Sequence, residues 1–131
     1  MGRVWRKSWW VPGSWYPPSS DDGLGYLIYA ESGQMCAVLA DPHRAHWKSD
    51  ETSTEAELRS TLDHFIAYSG RYEVDEAQGS VVHHIEIHVV PNFIGTDFKR
   101  RVSFEGSLLK LQPVEPLAGD IVEYTLTWER A

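Results

Sequence analysis

The sequence of 131 residues holds one cysteine, Cys36, so no disulfide can form within the chain. The simple expectation is a reducing, cytoplasmic setting. The opening MGRVWRKSWWVPG lacks the apolar core of roughly 7–15 residues that a secretory leader needs. It begins Met-Gly, but Arg6 stands where myristoylation requires Ser or Thr. No run approaches the ~18 apolar residues of a spanning helix, so no membrane partner is expected. Cationic surface is also scarce. The net charge is −7, and Lys99-Arg100-Arg101 is the only basic run beyond the N-terminus. On a strand those three alternate faces, so no stripe forms to neutralise phosphates, and nucleic acid is not an expected partner. There is no G-x-S-x-G elbow, no glycine-rich phosphate loop, and no base beside Cys36 in sequence. Nucleophilic catalysis therefore has little support, and no cofactor is expected.

Aromatic residues, by contrast, are abundant. There are 6 Trp and 6 Tyr, many within the first 30 residues. They suit a core, a ligand cavity or an interface equally well. Turn residues recur at short intervals with strand-like runs between them, which is an all-β signature. Expected strands are Val4–Val11, Leu24–Ala30, Met35–Ala40, Arg71–Asp75, Ser80–Val90, Asp97–Glu105, Leu108–Gln112 and Ile121–Arg130. Between the third and fourth, Leu58, Leu62, Phe65 and Ile66 follow helical spacing. Thr54 and Glu57 form a capping box at the start, and Gly70 fits a C-terminal cap. One amphipathic helix of about four turns is thus predicted. Eight strands in up-and-down order close into a barrel wide enough for one small ligand. Residues 1–131 form a single domain on this reading.

Alternation along the strands separates inside from outside. In Asp97–Glu105 the apolar row is Phe98, Arg100, Val102 and Phe104, which places Arg100 inward. Its stem could pack while its head reaches the barrel mouth, or its guanidinium could anchor a carboxylate. In Ile121–Arg130 the inward row is Val122, Tyr124, Leu126, Trp128 and Arg130. Tyr124 is there either a cavity hydroxyl or a core tyrosine. In Ser80–Val90 the odd row Val81, His83, Ile85, Ile87, Val89 is the more apolar, leaving His84, Glu86 and His88 outside.

Two imidazoles and a carboxylate on one strand face are the ligand types of an iron or zinc site and also suit acid–base work. Strand rise, however, sets His84 and His88 roughly 13–14 Å apart. That is too far to share a metal bound at about 2 Å per ligand. A solvated polar face and proton transfer by His83, His84 or Glu86 both remain open.

Several segments resemble the lipocalin-like domain family of small bacterial and fungal proteins. These are Trp5-Arg6, Gly25-Tyr26-Leu27-Ile28-Tyr29 with Gly33-Gln34-Met35, Tyr68-Ser69-Gly70-Arg71-Tyr72-Glu73-Val74, and Val82-His83-His84-Ile85-Glu86. Pro91-Asn92-Phe93-Ile94-Gly95-Thr96, Arg100 and Leu126-Thr127-Trp128-Glu129-Arg130 complete the series. The likeness departs at Lys7, Trp9, Trp10 and the proline-rich loop, and Cys36 stands where Ser is common. The resemblance implies an eight-stranded calycin-like barrel with a helix after the third strand. Similar barrels in natural-product pathways act as cyclases or isomerases on polyketide- or terpenoid-like substrates.

Three functions follow as expectations. In the first, the barrel binds an apolar small molecule and isomerises or cyclises it without a cofactor. His83, His84 or Glu86 would move the proton. Arg100 or Tyr124 would stabilise oxyanion charge, and Tyr29, Phe98, Phe104 and Trp128 would shape the ligand site. In the second, the barrel is a non-catalytic carrier for a hydrophobic ligand. In the third, its own aromatics fill it. A homodimer is compatible with each.

Overall fold

The structure, a computed structural model, describes residues 3–10, 24–114 and 125–131, with Trp5 the one side chain described in the first segment. Eight strands pair antiparallel in chain order: β1 (Arg3–Trp10), β2 (Leu24–Tyr29), β3 (Gln34–Ala40), β4 (Phe65–Asp75), β5 (Ser80–His88), β6 (Asp97–Glu105), β7 (Leu108–Pro113) and β8 (Leu126–Arg130). β8 pairs back onto β1 and closes the barrel, so none of the described strands is left as a sheet edge. Among the described residues the one α-helix, α1 (Glu55–Asp63), lies after β3 as expected. Tight turns need backbone that L-residues resist. Gly106, at φ +61°, turns β6 into β7 directly after the Glu105–Leu108 pair.

Inward rows follow the register. Leu27 opposes Ala37 and Trp5, Tyr29 opposes Met35, and Leu109 opposes Trp128. Trp5, Leu27, Met35, Ala37, Leu39, Val81, Leu109, Leu111 and Trp128 form one buried cluster. Fully burying a side chain of this size stabilises by about 1.5–3 kcal/mol, so this apolar set dominates the hold on the barrel.

The helix is shorter than its spacing predicts. Thr54 caps it as expected: its hydroxyl accepts from Glu57 N at 3.1 Å, and Glu57 Oε1 accepts from Thr54 N at 2.9 Å. But the helix stops at Asp63, with His64 as its C-cap. Phe65 and Ile66 belong to β4 and pair with Ala40 and Leu39. The run Phe65-Ile66-Ala67-Tyr68 is aromatic and β-branched, and the free flank of β3 offers it a ladder, which outweighs the helical spacing. Gly70 is therefore a strand residue and not a helix cap. Leu58 and Leu62, the stripe expected to be buried, are exposed.

β5 carries a bulge that alternation does not reveal. Gly70 pairs with Ile85, but its neighbour Ser69 pairs with Ile87, so Glu86 is an extra residue. Only glycine fits opposite it, because a Cβ on residue 70 would lie 1.8 Å from the His84 carbonyl oxygen. Beyond the bulge the faces exchange. His88 pairs with inward-facing Tyr68, while Ile87 is 66% exposed.

Candidate functional site

On the inner face of β4, β5 and β6, polar and aromatic side chains replace the apolar cluster. His83 is buried, 1% exposed, and opposes Tyr72 on one side and Phe98 on the other. Its Nε2 lies 2.6 Å from the Tyr29 hydroxyl and its Nδ1 lies 3.0 Å from the Tyr68 hydroxyl. A neutral imidazole has one donor and one acceptor, so one tyrosine donates to the ring and the other accepts from it. Burial chiefly, then the nearby Arg100 and His84 charges, pushes the His83 pKa from 6.5 down to about 3. Burial chiefly, then Tyr68, raises that of Tyr29 well above the usual value, with Arg100 opposing. The ring of Tyr29 meets that of Tyr72 edge-on at 4.7 Å, and the Tyr72 hydroxyl donates to the Ala30 carbonyl at 2.8 Å.

His88 extends this surface. Its ring stacks on Tyr68 at 5.6 Å, and Phe93 and Phe98 pack beside it at 4.8 and 5.9 Å. The Val90 N–H donates to His88 Nδ1 at 2.8 Å, which leaves the proton of the neutral ring on Nε2 as a donor. Burial lowers the pKa of His88. Arg100 faces inward and half-buried, its guanidinium carbon 5.0 Å from the Phe98 ring centroid and its Nη1 donating to the Lys99 carbonyl at 3.2 Å. No inward position of the described strands β2 to β8 carries Asp or Glu. Tyr29, Tyr68, Tyr72, His88, Phe98 and Arg100 all face in, yet each keeps accessible surface, so the described side chains do not fill this part of the barrel.

The sequence-predicted residues thus divide. His83, Tyr29, Phe98 and Arg100 come together. Trp128 is inward but packs in the apolar cluster, 1% exposed, its indole Nε1 without a hydrogen-bond partner among the described residues. Phe104 shares the inward row, but it sits beside the β6–β7 turn, 64% exposed, its ring 6.3 Å from Trp5. Tyr124 lies outside the described residues. His84 and Glu86 stand on the outer face, so they cannot reach a ligand inside. Both rings of the His83–His84 pair cannot face one way on a strand. His84 Nδ1 lies 2.7 Å from Asp97 Oδ1 and its Nε2 lies 3.4 Å from Glu73 Oε2. The Asp97 hydrogen bond chiefly raises its pKa; burial opposes this, and Glu73 adds a further rise. Glu86 lies 3.9 Å from Arg71. His88, read as outward, is inward because of the bulge. Among the described residues no group of His, Cys, Asp or Glu is placed to hold a metal.

Tyr68, Tyr72 and Phe93 were not anticipated at the site. Ile66, Tyr68, Gly70 and Tyr72 recur every second residue, a strand signal that the helical reading of Phe65 and Ile66 hid.

Comparison with known proteins agrees with this architecture. A 4'-hydroxy-3'-methoxypropiophenone carrier protein of Aspergillus oryzae is 34% identical over 106 residues, covering 73% of this chain and 96% of the relative. The family model described as a lipocalin-like domain matches residues 12–131. The barrel, the helix after its third strand and these matches agree: the chain belongs to the lipocalin-like domain family.

Proposed function

We propose that the protein carries an aromatic small molecule, such as an aryl ketone from a natural-product pathway, inside its barrel. The observation that carries this reading is the chain Tyr29–His83–Tyr68, set on an inner wall of aromatic rings. Such a wall offers stacking surface and a few fixed polar groups, the pattern of a small-molecule site. The carrier relative, whose name specifies a phenolic aryl ketone, supports the same ligand class.

Catalysis by proton transfer is the second reading, favoured by the continuous hydrogen-bonded path from Tyr29 through His83 to Tyr68. Magnitude favours the carrier reading over it. An imidazole whose pKa is lowered from 6.5 to about 3 is a base weaker by roughly three orders of magnitude. General acid–base groups work best when their pKa lies near the operating pH. A tyrosine raised above its usual value is a poor acid as well.

Titrating the protein with 4'-hydroxy-3'-methoxypropiophenone while following Trp fluorescence tests the reading. Saturable binding is expected. Tyr68→Phe should weaken it roughly fivefold, the worth of one hydrogen bond, and His84→Gln should leave it unchanged. Chromatography should recover the ligand unaltered. Absence of binding, or equal effects of the inner and outer variants, would overturn the proposal. Conversion of the ligand would favour an isomerase or cyclase instead.

A further inference from the structure

We infer that the ligand is bound as an oxyanion, an aromatic ring bearing an ionised oxygen, with Arg100 as its counter-ion. The inference rests on the carrier reading and specifies the ligand's charge state. Arg100 is held inward by its place on β6, between the register positions of Val81 on β5 and Pro113 on β7. Among the described residues it meets a backbone carbonyl and the face of Phe98. Neither neutralises a positive charge. A cation turned into a barrel costs free energy unless paired, and natural proteins rarely leave one so.

The titratable groups on the same inner wall are Tyr29 on β2, Tyr68 and Tyr72 on β4, and His83 and His88 on β5, and the Arg100 charge acts on Tyr29 and His83. None of them is a carboxylate, and burial disfavours the charged forms of Tyr29, His83 and His88. Tyr29 does not supply the anion, because burial holds its proton, and His83 stays uncharged down to about pH 3. Among the described residues the site therefore has one positive charge, no carboxylate facing it, and an aromatic wall. An aryl oxyanion complements all three features. A guanidinium binds it through charge-assisted hydrogen bonds, while Phe98 and the His88–Tyr68 stack take the ring. When a phenol enters, its O–H proton passes to solvent and the phenolate oxygen remains against Arg100.

4-Nitrophenol tests this, because its phenol and phenolate forms absorb at different wavelengths and it titrates near neutrality. 4-Nitroanisole, which cannot ionise, serves as the matched control. In the wild-type protein the bound nitrophenol should ionise at a lower pH than it does free. Arg100→Met keeps the stem but removes the charge. It should weaken nitrophenolate binding roughly ten- to a hundredfold and abolish the lowered midpoint, with nitroanisole binding little changed. Arg100→Lys should restore part of the shift. Circular dichroism of each variant confirms folding. If both probes bind but the midpoint is unmoved, or Arg100→Met moves neither probe, the oxyanion inference fails while the carrier reading stands. If neither probe binds the wild type, both fail.

Discussion

The two faces of β5 put one amino acid to opposite uses. His83 and His84 are adjacent, and their rings stand on opposite sides of the barrel wall. Inside, His83 is flanked by two tyrosine hydroxyls and loses proton affinity because burial penalises its charged form. Outside, His84 sits between Asp97 and Glu73 and gains proton affinity because carboxylates stabilise that form. The inner face thus disfavours charge on its histidines, with His83 held by two tyrosine hydroxyls and His88 left its Nε2 proton as a donor. The outer face joins β4, β5 and β6 by exposed charge pairs, and such pairs contribute little to stability.

The largest test of this contrast is pH. The His83 pKa is depressed in the fold, so the unfolded chain binds the extra proton between pH 6.5 and about 3. Its contribution is complete above pH 6.5 and is lost as pH falls through that window. The loss is on the order of 4–5 kcal/mol if the barrel persists to the lower limit. Urea unfolding at pH 7 and pH 4 should show this slope, and His83→Gln should flatten it. An equal slope in the variant would place the acid sensitivity elsewhere.

Next in size is the bulge. Gly70→Ala forces a methyl group against the His84 backbone carbonyl, which cannot swing away as a side-chain end could. We expect a loss of about 3 kcal/mol. The NMR signals of His88 should also lose the ring-current shifts of its stack on Tyr68 as the face exchange is disturbed. A variant as stable as the wild type, with those shifts intact, would mean that the bulge does not depend on Gly70.

The smallest effect belongs to His84. Its folded pKa is raised, so its contribution is present below the ordinary 6.5 and fades as pH rises through the folded value. His84→Gln should remove a slight acid-side stabilisation, and added salt should do the same to the wild type. If salt leaves the wild-type curve unchanged, the outer pairs carry no measurable free energy.

Much of the barrel was legible in the residues themselves. Phe98, Arg100 and Val102 alternate with Lys99, Arg101 and Ser103, and that pleat alone turns Arg100 inward. The same alternation turns Val81, His83 and Ile85 inward, and Thr54 with Glu57 marks the helix start through local hydrogen bonds. These features depend on a backbone period or a contact within one turn, so the chain determines them by itself. The rest needed partners. The helix ends at Asp63 because β3 captures Phe65–Tyr68. His88 turns inward because Gly70, on another strand, lets the β5 backbone approach and bulge. His83 owes its neutrality to burial, and its two hydroxyl partners lie 54 and 15 positions away in the chain. Strand alternation has no knowledge of distant neighbours, so only closure of the barrel could bring Tyr29, Tyr68 and His83 into one hydrogen-bonded chain.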